Sequence, residues 1–405
     1  MGRIAILTSL FFQKTAELDG QDRIIFGGAE RYLVELCKLL RDEGHEVTVY
    51  QAWRGEQVIQ KEYAGIPFVL IPTADDWSFH TGPNLNPAFN DLALGFDLRI
   101  YFATFLCWPE VRRPAISICH GIWWDFPQSP YGRFSKPERE EWFRRHLYGF
   151  TAPDVCVAVD TNSRNFVAAL EPGAETRIHV IPNFVDTEKF RPREEPRDWE
   201  RIRVLFPRRM APLRGANDIL LTASEMPDLD FILCGQVHDQ EAEAMLDGYL
   251  QQGKAPNVTA EWHEMHEMPE VYKRADIAVI PTRGAEGTSL SCLEAMASGL
   301  PIVATPVGGL SDLVINNFNG FVVDLNHGRL LPAIRKLAED AKLRELFGRR
   351  NREMAVSAFG LDRWRSRWRR VLRQVMKEGK ARNAAATRNN EQHGKAVPHR
   401  TGSVV

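Results

Sequence analysis

The stretch that decides the fold is "IAVIPTRGAEGTSLSCLEAMASGLPIVATPVGG", residues 277–309. It opens with an apolar run, passes through small polar residues around Glu286, continues as a helical pattern that contains Glu294, and returns to an apolar run. A strand, a turn, a helix and a second strand in this order are typical of a parallel sheet covered by helices. The stretch therefore predicts the carboxyl edge of such a sheet, with one acid in the turn and a second about one helical turn later.

The same alternation of strand and helix patterns extends through most of the chain. One series begins at "RIAILTSL" near the start and a second begins at "RVLFPRR", with a polar, proline-containing stretch between them at residues 186–200. We predict an α/β fold with two Rossmann-like, doubly wound domains, residues 1–185 and 201–360, that face each other across a cleft. Ligands of such sheets bind at the carboxyl ends of the strands, in the crevice between domains.

The overall composition excludes several classes of function. The formal net charge of −2 gives the chain of 405 residues no general attraction for nucleic acid. The sequence has no apolar run of about 18 residues, the length that a membrane span requires. Six cysteines without a C-x-x-C pair lie mostly in apolar runs, which favours buried packing over metal or redox chemistry. We predict a protein of the reducing cytoplasm.

The C-terminal part divides into a helix and a tail. Trp364, Trp368 and Leu372 are spaced by four and form a packing stripe on a basic helix at about 361–378. We expect this helix to join the first domain. Residues 381–405 are polar and poor in apolar side chains, so we predict disorder there.

The turn at Glu286 has the features of a ligand site. The first backbone N–H groups of the following helix, at Thr288, Ser289 and Leu290, point into the open edge of the sheet and suit an anion or sugar oxygens. Glu286 and Glu294 would repel phosphate but can grip hydroxyl groups. Phosphate held by amides and hydroxyls held by acids together describe a nucleotide sugar. The alternative is that Glu286 caps the helix and Glu294 faces solvent.

A basic loop follows the first strand of the second domain. In "PRRMAPLRG" it carries Arg208, Arg209 and Arg214 between a strand and a helix, again at the ligand edge. Arginines there can form forked hydrogen bonds to the oxygens of a diphosphate. The alternative is a solvated surface loop.

The first domain offers three weaker candidates at the same edge. Gly27 and Gly28 in "FGGAER" open a helix and would let the backbone approach a ligand, although an ordinary turn fits as well. His120 ends a strand in "ISICHG" and could bind a sugar hydroxyl or carry a proton, although a lone histidine is more often structural. Residues 11–26 show no clear element and form a candidate acceptor loop.

These motifs identify a family. The chain resembles the retaining glycosyltransferases of family 4, which have the two-domain GT-B fold, over roughly residues 1–378. The resemblance is strongest in "EGTSLSCLEAMASGLPIVATPVGGLSDLVINNFNGFVV", which matches the family's pattern of Glu, seven residues and Glu. Weaker support comes from "GGAERYLVELCKLLRDEGHEVTVY", "VIPNFVDTEKFRP" and "RRMAPLRG".

The resemblance implies a role for each candidate residue. Glu286 would contact the donor-sugar hydroxyls and Glu294 the ribose hydroxyls, while Arg209 and Arg214 would neutralise the departing diphosphate. His120 would touch the donor sugar near the reacting centre. Gly28 would lie against the donor phosphates or the acceptor. The backbone around the first acid would complete the donor site, at Gly287, Thr288, Ser289 and Leu290.

This chain departs from the family pattern at two places. Arg208 and Arg214 stand where the family has Gly and Lys, which keeps the charge at 214 but crowds the loop at 208. Thr288 and Ser289 replace Phe and Gly after the first acid, so the sugar pocket differs and the donor sugar stays open.

The expected reaction is transfer of a sugar from a nucleoside diphosphate to an acceptor hydroxyl with retention of anomeric configuration. The resemblance implies front-face attack assisted by the leaving diphosphate. No Asp-x-Asp pair lies among the candidate site residues, so we predict no metal, no other cofactor and activity without Mg²⁺. The alternatives are a nucleotide-sugar epimerase of the same fold and a non-catalytic nucleotide-sugar binding protein.

The partners are predicted only by class. The acceptor could be a carbohydrate, a lipid-linked glycan or a small metabolite, and the oligomeric state stays open. The aromatic and basic stretch at residues 121–150, together with the basic C-terminal helix, leaves open a peripheral contact with the inner membrane surface. The alternative for residues 121–150 is an amphipathic helix that covers the first domain.

Overall fold

The computed structural model describes residues 1–9, 11–14, 22–24, 27–53, 55–73, 81–122, 135–237, 240–325 and 330–394. The aromatic residues at 123–134 and the last residues of the predicted tail, 395–405, lie outside the described residues.

The first domain is built on a largely parallel sheet. Its strands are β1 (Arg3–Leu7), β2 (Phe12–Lys14), β3 (Asp22–Ile24), β4 (Glu46–Trp53), β5 (Ile59–Tyr63), β6 (Ile66–Pro72), β7 (Leu98–Tyr101), β8 (Ala115–Cys119), β9 (Val155–Ala158) and β10 (Ile178–Val180). Eight of them form one sheet in the order β10-β9-β8-β7-β1-β4-β6-β5. Strands β7, β8 and β9 are buried at every position, as expected where helices cover both faces of a parallel sheet.

Amphipathic helices cover this sheet. They are α1 (Gly28–Asp42), α2 (Thr81–Leu92), α3 (Lys136–Thr151) and α4 (Thr161–Leu170). Helix α1 buries Leu33, Leu36 and Leu40 at the helical spacing that the sequence shows, against the core of the first domain. It therefore begins at the carboxyl edge of the sheet, at Gly28.

The second domain repeats this plan with a fully parallel sheet. Its strands are β11 (Arg203–Phe206), β12 (Asp230–Cys234), β13 (Val258–Glu261), β14 (Ile277–Ile280), β15 (Ile302–Ala304) and β16 (Gly320–Val322), and its helices are α5 (Ala216–Glu225), α6 (Gln240–Leu250), α7 (Met268–Lys273), α8 (Leu290–Ala297), α9 (Leu330–Glu339) and α10 (Ala341–Ala358). The strand order is β13-β12-β11-β14-β15-β16. The predicted architecture of two doubly wound α/β domains is confirmed.

The segment between the domains is not a loose linker. Phe190 is buried in the core of the second domain, so part of the stretch at 186–200 packs on that domain. The chain crosses between the domains twice, at neighbouring points. The Val185 N–H donates to the Phe359 carbonyl at 2.9 Å, and the Leu361 N–H donates to the Val185 carbonyl at 3.2 Å.

After the second crossing the chain forms the long helix α11 (Leu361–Gly394). Trp364 and Trp368 are 2% and 0% exposed and lie in the core of the first domain, so neither indole is available to a membrane surface. Residues 381–394, for which we predicted disorder, belong to this helix. Among the described residues, no helix has both the length and the apolar character needed to cross a membrane.

The prediction for residues 11–26 is also wrong in part. Strands β2 and β3 pair antiparallel in this segment, with Phe12 opposite Ile24. The Phe11 and Phe12 N–H groups donate to the Gln51 side-chain oxygen at 3.0 Å and 2.9 Å. A buried amide of the central sheet thus fixes the start of a segment in which the sequence shows no clear element.

Candidate functional site

A cleft of about 620 Å³ opens between the two domains at the carboxyl edges of both sheets. Its lining includes every residue that the sequence predicted for the site: Gly28, His120, Arg209, Arg214, Glu286, Gly287, Thr288, Ser289, Leu290 and Glu294. The side chains come from loops after β8, β11 and β14 and from the first turns of α1 and α8. The topology therefore brings residues that are far apart in sequence to one cavity.

Glu286 is aimed into this cleft by an unusual turn. Ala285, directly before it, has φ of 56°, a left-handed conformation that costs free energy for a residue with a Cβ. The Arg214 guanidinium donates to the Ala285 carbonyl at 3.1 Å and so holds the turn. The position of the acid is therefore set by backbone strain and by an arginine from the facing loop.

Two arginines and a threonine bind one oxygen of Glu286. Arg208 Nη2, Arg214 Nη1 and Thr282 Oγ1 donate to Glu286 Oε2 at 2.6, 2.7 and 3.2 Å. Burial alone would raise the pKa of this carboxyl, but the two guanidinium groups outweigh burial and hold its pKa below the ordinary value. Within the described part of the chain, these bonds leave Oε1 as the acceptor for a ligand hydroxyl.

The basic loop differs from our expectation in its internal pairing. We expected the acids to face sugar alcohols and the arginines to face phosphate as separate groups. Instead Arg208 and Arg214 pair with Glu286, because a buried charge without a partner is costly. Arg208, which is 9% exposed, also donates to Ser289 Oγ at 3.0 Å, so it fills the space that a glycine would leave open.

Arg209 and Arg214 remain positively charged in the cleft. Burial lowers the pKa of Arg214 to about 10, and the neighbouring Glu286 opposes that shift, so the guanidinium stays protonated at neutral pH. The Arg209 side chain is exposed in the cleft. Across from it lies Glu30 in the first turn of α1, whose carboxylate accepts the Gly27 N–H at 2.8 Å. Arg209 is thus placed to meet an anionic ligand.

Glu294 lies on the facing side of α8 and is 5% exposed. The Tyr272 hydroxyl, from α7, donates to Glu294 Oε2 at 2.8 Å. The Arg31 guanidinium, from α1 of the first domain, forms an ion pair with Glu294 Oε1. The sequence predicted the acid at this place but neither of its two partners.

His120 is neutral at physiological pH. Its ring packs against Tyr32 and Phe102, with ring centroids 5.2 Å and 4.6 Å away. Burial lowers its pKa to about 4, although a hydrogen bond to the Phe102 backbone opposes the shift. Within the described residues, the buried Nε2 atom has no hydrogen-bond partner, although His120 itself lines the cleft.

The two domains touch directly behind the cleft. Gly121 has φ of 107°, and a Cβ there would lie 2.8 Å from the Gly287 nitrogen, so only glycine fits. Thr288 Oγ1 donates to the Val159 carbonyl at 2.9 Å and accepts the Asn183 N–H at 2.7 Å. The Thr288 side chain therefore joins the domains, and its carbonyl does so as well by accepting a hydrogen bond from Asn183 Nδ2 at 2.6 Å.

Gly28, at the start of α1, also faces the second domain. A Cβ at Gly28 would lie 3.4 Å from Leu290 Cδ1, so the start of α1 and the start of α8 oppose each other across the cleft. Several residues of the site were missed from sequence, among them Arg31, Tyr272 and Asn183. A signal existed for Arg31, which lies three residues after Gly28 and so on the same face of α1. In the sequence, Tyr272 has the pattern of an ordinary core residue and Asn183 that of an ordinary loop residue.

A metal centre was not expected here. The described residues contain no group of three or more His, Cys, Asp and Glu side chains that could hold a metal ion.

Two family descriptions match the chain. Glycosyltransferase Family 4 matches residues 26–189, and Glycosyl transferases group 1 matches residues 187–354. The two matches meet at the first crossing between the domains. Together they include every residue of the cleft described above except Ile24.

Curated relatives agree with this assignment. The chain is 31% identical over 384 residues to a GDP-mannose-dependent alpha-(1-6)-phosphatidylinositol monomannoside mannosyltransferase of Mycobacterium tuberculosis, a match that covers 85% of this chain and 91% of that protein. It is 26% identical over 249 residues to an alpha-maltose-1-phosphate synthase of Mycolicibacterium smegmatis, which covers 56% of this chain and 62% of the synthase.

Solved structures share the fold. The sucrose-phosphate synthase of Thermosynechococcus elongatus superposes with a TM-score of 0.75 at 19% identity, over 93% of this chain and 100% of that one. Anabaena HepE in complex with UDP and glucose superposes with a TM-score of 0.70 at 18% identity, over 92% of this chain and 99% of that one.

Proposed function

Since this chain belongs to glycosyltransferase family 4, we propose that it transfers a hexosyl or related residue from a nucleoside diphosphate sugar to an acceptor hydroxyl, with retention of anomeric configuration. The observation that supports this most is that Glu286 and Glu294 line one cleft with four arginines, of which Arg31 comes from the first domain and the other three from the second. Acids suit the alcohols of such a donor and arginines suit its diphosphate.

The residues of the cleft divide the work. Glu286 accepts hydroxyl groups of the donor sugar through Oε1, and Glu294 accepts those of the ribose. Arg209 and Arg214 stabilise the charge that develops on the leaving diphosphate, which is the electrostatic form of catalysis. His120, held neutral by burial, hydrogen-bonds the sugar near the reacting carbon.

The relatives favour this class of substrate. The mycobacterial protein is named for GDP-mannose and a phosphatidylinositol monomannoside, and the Anabaena protein was solved with UDP and glucose. We propose a nucleotide-sugar donor and a carbohydrate, lipid-linked or small-molecule acceptor for this chain. Its transfer proceeds without a divalent cation, because the arginines supply the positive charge at the diphosphate. Transfer that stopped in EDTA and returned with Mg²⁺ would refute that part.

The test is a transfer assay on the full chain. GDP-mannose, UDP-glucose, UDP-galactose and ADP-glucose are each supplied with a panel of sugar, inositol-phosphate and lipid-linked acceptors. We expect acceptor-dependent release of nucleoside diphosphate, and NMR of the product should show the donor's anomeric configuration. Inverted product would refute retention, and an altered sugar nucleotide formed without acceptor would indicate the epimerase.

Variants decide whether this cleft performs the reaction. Arg209→Met should lower the transfer rate by about 10²–10³-fold, the usual cost of losing one donor to developing negative charge. Arg335→Met is the matched control, since Arg335 pairs with Asp228 on the surface of the second domain. Equal transfer rates for the two variants would show that Arg209 does not contribute to the reaction.

A further inference from the structure

Glu294 is held from two domains at once. Tyr272 belongs to the second domain and binds Oε2, whereas Arg31 belongs to the first domain and pairs with Oε1. The side chains of Arg31 and Glu294 are 18% and 7% exposed, so the pair is largely removed from solvent. An ion pair with this degree of burial fixes the orientation of the carboxylate much more firmly than a surface pair does.

The two contacts leave room for a ligand. A carboxylate offers about four acceptor positions, two on each oxygen. Arg31 and Tyr272 each use one position on a different oxygen, so each oxygen of Glu294 keeps one position for a hydroxyl donor. Two neighbouring hydroxyl groups, such as those at carbons 2 and 3 of a ribose, match such a pair of acceptors.

One of the two holders depends on domain approach. Arg31 lies in the first turn of α1, and Gly28 of the same turn faces Leu290 of α8 across the cleft. If the domains moved apart, Tyr272 would stay with Glu294 because both belong to the second domain, and Arg31 would leave. Both oxygens of the Glu294 carboxylate are thus hydrogen-bonded only when the starts of α1 and α8 lie next to each other.

We infer that Arg31 is a positioning residue that orients Glu294 toward the ribose hydroxyls and so makes ribose recognition depend on the approach of the first domain. The inference rests on the proposed function, because it takes Glu294 as the ribose ligand. Arg31 itself need not touch the donor. Through Arg31, the first domain completes a nucleoside site that lies on the second domain.

The test compares ribonucleotides with their 2′-deoxy forms. Calorimetric titration gives the Kd of UDP, GDP and ADP and of each 2′-deoxy counterpart for the wild-type chain and for Arg31→Met. We expect the wild type to prefer the ribonucleotide about tenfold or more, the typical worth of one hydrogen bond to a charged acceptor. Arg31→Met should reduce that preference to less than about threefold. It should change the Kd of the 2′-deoxy nucleotide by less than about threefold relative to wild type.

Two further variants separate positioning from general damage. Arg365→Met removes an ion pair to Glu35 within the first domain, in which the arginine side chain is 24% exposed, and it should keep the wild-type preference. Tyr272→Phe removes the other holder of Glu294 and should also reduce the preference. If Arg31→Met does not fold, Arg31→Gln takes its place with the same expected loss of preference, and a folded Arg31→Gln protein that keeps the wild-type preference overturns the inference equally.

Each outcome has a clear meaning. A folded Arg31→Met protein that keeps the wild-type preference overturns the inference. A variant that binds the ribonucleotide more tightly than wild type also overturns it, because Arg31 would then be a competitor for Glu294. If the wild type binds ribonucleotides and 2′-deoxy nucleotides equally well, Glu294 does not bind the ribose and the inference is wrong. The transfer assay tests the proposed reaction separately.

Discussion

At the scale of single residues, the site is a set of mutually compensating charges. Glu286 is shared by Arg208 and Arg214, and Glu294 is paired with Arg31. Each acid thereby satisfies buried guanidinium groups and still presents oxygen to the cleft. Stability and ligand binding therefore depend on the same side chains, which gives the first prediction.

Glu286→Gln should lower both stability and transfer. The substitution leaves Arg208 and Arg214 without a counter-charge, so we expect a loss of about 3 kcal/mol in the free energy of unfolding. Transfer should fall roughly 10- to 100-fold through loss of a charged hydrogen-bond acceptor. Chemical denaturation and the transfer assay measure the two effects.

A double variant provides the control for this prediction. Adding Arg208→Met removes one of the two uncompensated charges, so the pair of substitutions should recover part of the lost stability without recovering transfer. A single variant as stable as wild type would contradict the assignment of Glu286 as the shared counter-charge.

The buried histidines predict how stability depends on pH. Burial lowers the pKa of His120 to about 4 and that of His146 to about 3, whereas both titrate near 6.5 in the unfolded chain. As the pH falls below 6.5, the unfolded chain takes up protons that the folded protein does not. Stability should therefore fall between pH 6.5 and 4, by up to about 1.4 kcal/mol per pH unit for each histidine.

Urea denaturation between pH 4.5 and 7 measures this dependence. His120→Asn should show a shallower slope than wild type by the contribution of one histidine, because the variant lacks one of the buried histidines whose pKa is lowered. The same slope in both proteins would show that His120 titrates normally in the fold.

The two acids and the basic loop of the cleft could be predicted from sequence, and the reason is local. Glu286, Glu294 and Arg209 stand at strand ends and helix starts, and the topology of a parallel sheet brings such ends to one edge. The pairing of Arg208 with Glu286 and of Arg31 with Glu294 could not be predicted. Both depend on distances across elements and domains, which no periodicity in the sequence encodes.

At the scale of elements, α11 attaches the end of the chain to the first domain. Trp368 is fully buried, and its indole Nε1–H donates to the Tyr32 hydroxyl of α1 at 2.8 Å. Trp364 packs against the same tyrosine, with ring centroids 5.1 Å apart. The helix therefore contributes to the core that supports the first turn of α1, where the cleft begins.

Trp368→Ala should destabilise the first domain by about 3–5 kcal/mol, the usual cost of emptying the site of a buried aromatic side chain. Trp262→Ala, at a tryptophan that is 51% exposed in the second domain, is the matched control and should change stability by less than about 0.5 kcal/mol. Thermal unfolding measures both, and equal effects would contradict the packing described here.

The elements that sequence predicted well are those with a strong physical signature. Buried parallel strands such as β8 and β14 are continuous apolar runs, and α8 begins at Leu290, directly after Ser289, whose hydroxyl caps the helix. The short pair β2 and β3 has no such signature, since each strand has three residues and its place depends on the Gln51 amide. The helical residues 381–394 were missed because their composition is that of a disordered tail.

At the scale of the whole molecule, two parallel-sheet domains meet at a double crossing and enclose the cleft between their ligand edges. Contacts behind the cleft also join the domains in this arrangement: Thr288 Oγ1 donates to the Val159 carbonyl, and the Thr161 N–H donates to Asp312 at 2.7 Å. The first domain supplies His120, Gly28 and Arg31, and the second supplies the remaining charged groups. Neither domain holds the complete site.

The most direct test of this account is a calorimetric titration of the full chain with UDP-, GDP- and ADP-sugars. We predict saturable binding of at least one of them, weakened tenfold or more by Arg209→Met, since a hydrogen-bonded charge pair typically contributes about 1.5–3 kcal/mol. Arg335→Met should leave that affinity unchanged. Failure of every nucleotide sugar to bind, or equal affinity for wild type and Arg209→Met, would contradict the claim that this cleft holds a nucleoside diphosphate sugar.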